Sequence, residues 1–264
     1  MNYVEEARTL LEKWGEAAHF QLNYYESTDS TNEEVKRAAA RGAAEGFAAC
    51  ADEQTAGKGR RGREWKSPAG EAVYFSFLLF PEIAPEHAPM LTLIMGLAGS
   101  LAVRELTSLP AQIKWTNDIV IGNKKICGIL TEAVPGGGIV IGCGVNVNNG
   151  AFSEEIADRA SSLFLEGGCK VSRGHLLALM LRHFYRNYRT FLLTENLDAF
   201  VNEYNSLLVN LDREVRVEDP LGAYTGIARG ISNTGELFVE TEPGAVQRVS
   251  SGEVSVRGLY GYTL

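Results

Sequence analysis

Four short apolar segments joined by glycine-containing turns constrain the fold of this chain more than any other feature. The segments span residues 113–115, 119–121, 126–134 and 139–147, with Gly122-Asn123 and a Pro-Gly-Gly-Gly stretch between the later ones. Turns this short join neighbouring strands as hairpins, whereas a parallel pair needs a crossover of a dozen or more residues. The middle of the chain is therefore predicted to form an antiparallel meander.

Helical and strand signals surround the meander. Ser30 or Thr31 is expected to cap the second helix, and the 172–193 helix carries large apolar residues on one face. After residue 209 the pattern changes to five short strands separated by turn residues. Helices are predicted at 3–18, 31–41, 88–106, 153–159, 172–193 and 196–209, and strands at 22–26, 47–51 and 72–80. The predicted fold class is α+β over residues 1–209, with a small all-β module over residues 210–264.

Composition and charge narrow the functional classes. The 264 residues contain 25 Lys and Arg against 33 Asp and Glu, and the net charge of −8 disfavours nucleic acid or an anionic membrane as a partner. The four cysteines form no C-x-x-C pair, so they are interpreted as buried thiols of a cytoplasmic protein. The N-terminus lacks a signal-peptide pattern. The uncharged stretch 88–103 is shorter than a membrane span and is predicted to be a buried core helix.

A loop rich in glycine and cations is the strongest functional signal. Residues 57–63 match G-x-G-x-x-G, but a strand follows where a dinucleotide-binding loop would continue into a helix. Five cations lie within nine residues of this acidic protein and repel one another, so the loop is predicted to be poorly ordered until it closes on an anion that its guanidinium and amide groups can bind. Trp65 beside it could stack on a flat ring. A solvated surface loop is the alternative.

Two further clusters admit more than one interpretation. Asn117 and Asp118 could supply oxygen ligands to Mg²⁺, although the same pair is typical of an ordinary turn. Lys125 could neutralise a phosphate or be an ordinary exposed lysine. Gly142 and Gly144 alternate on one face of a strand, where they could open a groove for a flat ligand or permit close helix packing.

Taken together, these motifs resemble those of the biotin protein ligases. The similarity covers about residues 22–260 and includes residues 211–258, which resemble the C-terminal SH3-like barrel of that family. It implies a mixed or antiparallel sheet flanked by helices, similar to class II synthetases. Lys58 replaces a frequent arginine and Thr116 a usual proline. The motifs are Ser30-Thr31-Asn32, the 54–65 loop (QTAGKGRRGREW), Lys114-Trp115-Thr116-Asn117-Asp118, the 125–130 strand (KICGIL), Gly142-Cys143-Gly144-Val145-Asn146 and the 251–257 tail.

The resemblance also implies a role for individual residues. Lys125 and Arg60 would be catalytic, and Asp118 would bind Mg²⁺. Biotin would be bound by Ser30, Thr31, Asn32, Gln54, Gly57, Lys58, Gly59, Arg60, Lys125 and Gly128. ATP would be bound by Arg63, Trp65, Lys114, Asn117, Asp118, Asn146 and Arg257.

The implied activity is an ATP-dependent ligase reaction. Biotin would be activated to biotinyl-5′-AMP and transferred to a lysine of a biotin carboxyl carrier protein, for example that of acetyl-CoA carboxylase. The segment before Ser30 is too short for the DNA-binding domain of some family members, so no repressor function is expected. Exposed meander edges could support a homodimer. A lipoate or octanoate ligase and a non-catalytic biotin or nucleotide sensor are the alternatives.

Overall fold

The computed structural model of the chain describes residues 2–63, 65–219, 222–250 and 255–258. Glu64, Pro220, the turn at Ser251 and Gly252, and Val254 lie outside these ranges. The helices are α1 (Tyr3–Lys13), α2 (Thr31–Ala40), α3 (Met90–Thr107), α4 (Leu163–Gly167), α5 (Arg173–Thr194) and α6 (Val201–Leu207). The strands are β1 (Gln21–Thr28), β2 (Phe47–Gln54), β3 (Ala72–Leu79), β4 (Gln112–Lys114), β5 (Asp118–Ile121), β6 (Lys124–Val134), β7 (Gly138–Asn146), β8 (Glu214–Asp219), β9 (Gly222–Ile231), β10 (Leu237–Glu242), β11 (Ala245–Val249) and β12 (Ser255–Gly258).

The first seven strands form one mixed sheet in the order β1-β2-β3-β7-β6-β5-β4. Only β1 and β2 pair in parallel, with α2 as the connection that a parallel pair requires. The strands β4 to β7 form the predicted antiparallel meander. The predicted α+β class with a mixed sheet is confirmed.

Helices cover both faces of this sheet. The large core lies between the sheet and α1, α3 and α5, whereas α2 covers a smaller apolar cluster on the opposite face. The predicted apolar face of α5 is buried along its whole length, from Leu176 to Phe191. Helix α3 is long and apolar enough to cross a membrane by composition, but 72% of its apolar window is buried inside the protein. It is therefore a core helix, as predicted.

Four local predictions need correction. Residues 153–159 form successive turns rather than a helix, α1 ends at Lys13, and α6 begins only at Val201. Ser30 is the N-cap residue of α2, but its side chain makes no capping hydrogen bond. Ser30 instead faces a cavity described below, which explains why the N-terminus of α2 keeps a small polar residue without using it as a cap.

The C-terminal strands form a separate five-stranded antiparallel sheet in the order β11-β10-β9-β8-β12, as expected for a small SH3-like module. Trp115 anchors this module, because its buried indole nitrogen donates to the carbonyl oxygen of Gly235 at 3.1 Å. The backbone nitrogen of Val209 donates to the carbonyl oxygen of Ile113 at 2.9 Å. The division of the chain at residues 209 and 210 remains a prediction.

The cysteines differ in exposure. Cys50, Cys127 and Cys143 are buried as predicted, but Cys169 is exposed. Burial raises the pKa of Cys50 and of Cys127 to about 12 and also raises the pKa of Cys143. A thiol reacts through its thiolate, so these three groups are inert at neutral pH.

We therefore predict that an aromatic disulfide reagent at pH 8 labels one thiol per native chain and four in urea. Only Cys169 is accessible, and the other three thiols are both covered and protonated. Cys169→Ser should remove the native labelling and leave three thiols in urea. Rapid labelling of a second native thiol would show that the sheet opens at a buried cysteine.

Candidate active site

Two adjoining cavities lie at one end of the mixed sheet. The smaller cavity has a volume of about 450 Å³ and the larger one about 2200 Å³, and both volumes include space open to solvent. Five residues line both cavities and so form their junction: Gly59, Arg60, Trp65, Asn117 and Lys125. An elongated ligand could therefore occupy both cavities and pass Lys125 between them.

The register of the strands determines which residues form the floor of the two cavities. Ser76 on β3 pairs with Gly142 on β7, and Gly142 pairs with Leu130 on β6. Two residues along, Gly144 pairs with Gly128, which in turn pairs with Asp118. Because side chains alternate between faces with a period of two residues, both rows of residues face the same side of the sheet.

A hydrogen-bonded polar cluster closes the smaller cavity. Ser76 is fully buried, and its Oγ lies 2.7 Å from Oγ1 of Thr31 and 2.6 Å from Oδ1 of Asn32. The backbone nitrogen and Oγ1 of Thr31 donate to Oε1 of Gln54 at 2.9 and 3.1 Å. Nδ2 of Asn32 donates to Oε2 of Glu132 at 2.7 Å. These contacts fix the orientation of the side-chain amides, so the cavity presents polar groups in defined positions.

Glycines at three floor positions leave room for neighbouring side chains. A Cβ on Gly142 would lie 1.8 Å from Oδ1 of Asn32, and a Cβ on Gly144 would lie 2.6 Å from the indole nitrogen of Trp65. A Cβ on Gly128 would meet Nζ of Lys125 at 2.9 Å and the indole ring of Trp65 at 3.1 Å. Gly142 therefore admits Asn32 of helix α2, as the helix-packing interpretation predicted, and Gly144 admits the indole of Trp65. That these glycines also open a groove for a ligand remains a prediction.

The indole of Trp65 packs against Gly128 and Gly144, in the space that a side chain at either position would fill. Its indole lies 4.9 Å from Nζ of Lys125, within range of a cation–π interaction. The buried indole nitrogen has no hydrogen-bond acceptor among the described residues. The junction of the cavities therefore offers a flat ring to a ligand, while the indole nitrogen is buried against Gly144.

The glycine-rich loop lines the smaller cavity and makes several hydrogen bonds there. The backbone nitrogen of Trp65 donates to the carbonyl oxygen of Gly57 at 2.9 Å, and that of Gly59 donates to Arg63 at 2.7 Å. Nη1 of Arg60 donates to Oδ1 of Asn117 at 3.1 Å, and burial lowers the pKa of Arg60. A guanidinium nevertheless stays charged at neutral pH. The loop thus carries a desolvated cation to the junction.

Lys125 and Asp118 form an ion pair at the same junction. Nζ of Lys125 lies 2.6 Å from Oδ1 of Asp118, and both side chains are largely shielded from solvent. The backbone nitrogen of Lys125 donates to the carbonyl oxygen of Arg159 at 2.8 Å, and the carbonyl oxygen of Lys125 accepts from Ser161 at 3.0 Å. These bonds fix the position of Lys125 at both its backbone and its side chain.

The described side chains would supply only part of a coordination shell for Mg²⁺. The described residues contain no cluster of three His, Cys, Asp or Glu side chains that could enclose a metal ion. Asp118 lines the larger cavity together with the amides of Asn117 and Asn146. This donor set fits Mg²⁺, which is usually held by one or two carboxylates together with water and the phosphates of a substrate.

The structure brings nearly all predicted site residues together. Fourteen of them and Gly59 line one or both cavities: Ser30, Thr31, Asn32, Gln54, Lys58, Arg60, Arg63, Trp65, Lys114, Asn117, Asp118, Lys125, Gly128 and Asn146. Gly57 lines neither cavity. It packs against the backbone of Trp65, where a Cβ would lie 2.4 Å from an oxygen, and so shapes the base of the loop. Arg257 belongs to β12, but its side chain lies outside the described residues.

Sequence reasoning missed several residues of the site. Ser76 and Glu132 support Asn32, and Glu33 pairs with Lys58, yet none belongs to a motif singled out above. Ser76 had one local signal in the sequence: it is a small polar residue among the bulky apolar residues of β3. Residues 151–160, expected to be partly helical, instead line the larger cavity as turns.

Comparison with known proteins agrees with this geometry. The biotin/lipoate A/B protein ligase family matches residues 24–146, and the C-terminal domain of biotin protein ligases matches residues 211–257. The fold and site thus define an acyl ligase of that superfamily.

Individual relatives identify the family of ligases more closely. The bifunctional ligase/repressor BirA of Bacillus subtilis is 32% identical over 89% of this chain and 74% of its own length. The biotin--[acetyl-CoA-carboxylase] ligase of Mycobacterium tuberculosis is 32% identical over 89% of this chain and 88% of its own. The structure of the Aquifex aeolicus biotin protein ligase with biotin and ATP aligns with a TM-score of 0.83 at 34% identity, covering 90% of this chain and 99% of that one. The chain belongs to the biotin protein ligase family.

We predict that Gly142→Ala destabilises the protein by about 1–3 kcal/mol, as overpacking a tight site typically does. The added Cβ would overlap Oδ1 of Asn32, which Ser76 and Glu132 hold in place. Urea denaturation measures the effect. Gly96→Ala on α3 is the matched control, because its Cβ would meet neighbours at an ordinary 3.7 Å. Equal denaturation midpoints for the two variants would contradict a rigid cavity floor.

Proposed function

We propose that this protein activates biotin with ATP to biotinyl-5′-AMP and then transfers biotin to a lysine of a biotin carboxyl carrier protein. The observation that carries the proposal is the junction, where Lys125, Arg60 and Asn117 line both the smaller polar cavity and the larger cationic one. A reaction that joins two anionic substrates needs cations at that place.

The smaller cavity suits the ureido ring of biotin. That ring presents one carbonyl acceptor and two N–H donors, so its binding site needs both kinds of partner. Ser30, Thr31 and Gln54 supply hydroxyl and amide groups at the cavity wall. Gly142 leaves the space in which Asn32 can approach the floor. The carboxylate at the other end of biotin would extend to Lys125.

The larger cavity suits ATP. Arg63, Lys114 and Lys66 line it and supply positive charge for phosphate oxygens. Trp65 would offer its indole ring at the junction. Asn146 and Asn149 also line this cavity and could bind polar atoms of the nucleoside. We extend the proposal to Arg257 only through the family resemblance.

In the first step, an oxygen of the biotin carboxylate attacks the α-phosphorus of ATP. The new bond joins carboxylate oxygen to phosphorus, and the bond from phosphorus to the bridging oxygen of pyrophosphate breaks. The carboxylate is already ionised at pH 7, so no general base is needed. Lys125 and Arg60 would offset the repulsion between the two anions and hold them in line. Mg²⁺, when bound at Asp118, would neutralise phosphate charge.

In the second step, the neutral ε-amine of the acceptor lysine attacks the acyl carbon of biotinyl-5′-AMP. An amide bond forms, AMP leaves with the oxygen, and the amine loses a proton. Water would hydrolyse the same mixed anhydride, so the intermediate must stay covered until the acceptor arrives. The loop 57–63, which lies over the smaller cavity, would supply that cover.

The partner and the location belong to the same proposal. The acceptor would be the carrier domain of acetyl-CoA carboxylase or of another biotin-dependent carboxylase, and the enzyme would act in the cytoplasm. Three buried, reduced cysteines are consistent with that compartment.

A lipoate or octanoate ligase is the second candidate, because the matching family contains both kinds of enzyme. An aliphatic tail needs an apolar tunnel, whereas the cluster of Thr31, Asn32, Gln54 and Ser76 is polar. Biotin is therefore favoured. The ion pair of Lys125 and Asp118 at the junction favours catalysis over a non-catalytic sensor.

Mass spectrometry of a carrier domain incubated with the protein, Mg-ATP and biotin, lipoate or octanoate tests the function. A gain in mass equal to one biotinyl group, with no gain from the other acids, is expected. Transfer of lipoate alone would establish the second candidate. Binding of biotin without any transfer or pyrophosphate release would establish the sensor.

We predict that Lys125→Ala lowers biotin-dependent exchange of labelled pyrophosphate into ATP by about 10²–10³-fold, the loss typical of removing one group that stabilises a transition state. Biotin affinity, measured by calorimetry, should fall much less. Lys124→Ala is the matched control, since Lys124 lines neither cavity among the described residues. Equal losses of exchange and of biotin affinity would instead make Lys125 a simple binding residue.

We also predict that Arg60→Gly still forms biotinyl-5′-AMP but releases it. The variant loses the bond to Asn117 that holds the loop at the junction, so the intermediate should escape into solution. Rapid filtration of labelled intermediate measures retention. Retention equal to that of the unmodified protein would show that Arg60 does not hold the cover in place.

A further inference from the structure

The contacts between the loop 57–63 and the rest of the protein include two that are made by the side chains of Arg60 and Lys58. On one side Arg60 donates to Asn117, and on the other Nζ of Lys58 lies 2.7 Å from Oε1 of Glu33. Glu33 belongs to α2, whereas Asn117 belongs to the corner between β4 and β5. The loop is therefore held at both sides of the cavity mouth.

The contact between Lys58 and Glu33 continues into a chain of charges. Oε1 of Glu33 also lies 3.1 Å from Nζ of Lys36, and Lys36 pairs with Oε1 of Glu132 at 2.7 Å. The other oxygen of Glu132 accepts from Nδ2 of Asn32 on the cavity floor. An alternating series of two lysines and two glutamates thus connects the loop with the amide at the bottom of the smaller cavity.

The surroundings of Glu33 favour its charged form. Glu33 lies in the first turn of α2, where the positive end of the helix dipole stabilises a carboxylate. Lys58, and then Lys36, hold the pKa of Glu33 below its ordinary value against the opposing effect of burial. Lys58 is half exposed, so it can exchange between Glu33 and another anion without a large change in burial.

We propose that Glu33 is a positioning residue that holds the loop 57–63 closed through Lys58. This inference rests on the proposed function, because the loop would then cover biotinyl-5′-AMP. Glu33 lines neither cavity, so it would act on the intermediate only through Lys58. It also gives a role to lysine at position 58: a flexible ammonium reaches the carboxylate on α2 without the planar geometry that a guanidinium prefers.

Limited trypsin digestion of the ligand-free protein tests the attachment directly. The loop contains Lys58, Arg60, Arg61 and Arg63, and Glu33→Gln removes a charge without removing any cleavage site. Cleavage within the loop should be about two- to five-fold faster in Glu33→Gln, the range that a partly exposed ion pair supports. In 0.5 M NaCl the unmodified protein should approach the rate of the variant, which should itself change little.

Glu34→Gln is the matched control. Glu34 lies in the same helical turn and carries the same charge, but it pairs with Arg37 and accepts from Thr28, not from the loop. Cleavage in this variant should equal that of the unmodified protein. The double variant Glu33→Gln with Lys58→Met should be cleaved no faster than Lys58→Met alone, because either change breaks the same pair.

Retention of biotinyl-5′-AMP supplies the functional test. Glu33→Gln should release the intermediate about two- to five-fold faster, with pyrophosphate exchange changed less than two-fold, whereas Glu34→Gln should retain it normally. Equal loop cleavage in the two glutamate variants would overturn the inference. If the unmodified protein forms no intermediate at all, the proposed function fails, but the digestion experiment still decides whether Glu33 holds the loop.

Discussion

The register between β3, β7, β6 and β5 is the constraint on which the site depends. It aligns Ser76 with Gly142 and aligns Gly144 with Gly128 and Asp118, so that one row accommodates Asn32 and the next accommodates Trp65. A slip of one residue would turn every one of these groups to the opposite face of the sheet. The tight turns of the meander and the apolar packing under α3 and α5 hold the register, so core stability and site geometry have the same origin.

Positive charge distinguishes the larger cavity from the smaller, polar one. The chain is acidic overall, yet seven lysines and arginines line the larger cavity, among them three arginines of the loop 57–63 and Lys125. Carboxylates accompany the central ones, since Asp118 pairs with Lys125 and Glu33 with Lys58. Such pairing reduces repulsion among the cations when no anionic ligand offsets it. The site can therefore keep its positive groups in place before a phosphate or a carboxylate enters.

Local patterns in the sequence predicted the parts of the structure that local physics determines. The short glycine turns indicated the meander, and the spacing from Leu176 to Phe191 indicated the buried face of α5. The family resemblance implied a common ligand for Gln54 and the polar residues at the start of α2, and the structure places all of them at the smaller cavity. Side chains that lie near each other only after folding gave no comparable signal. Asn32 and Glu132 are 100 positions apart, and nothing in either segment alone indicates their contact.

The incorrect predictions have physical reasons as well. Residues 153–159 have a helix-like composition, but the backbone of Lys125 donates a hydrogen bond to Arg159 and accepts one from Ser161, which holds this segment against β6 in a series of turns. Gly57 was grouped with ligand-binding residues because it belongs to the motif. Its real constraint is the close approach of the Trp65 backbone, which governs how the loop begins.

The bond from Trp115 to Gly235 has an implication for protein engineering. Gly235 lies in the C-terminal module, packed against Met90, Leu93 and Leu197, while Trp115 adjoins the Asn117–Asp118 corner of the active site. The two modules therefore share an interface at Trp115 and Gly235, and the two surfaces must be complementary in shape. A chimaera with the C-terminal module of another ligase would need a compatible turn at residues 232–236. Without it, Trp115 would lose its hydrogen bond to Gly235, and the corner that lines the larger cavity would lose that support.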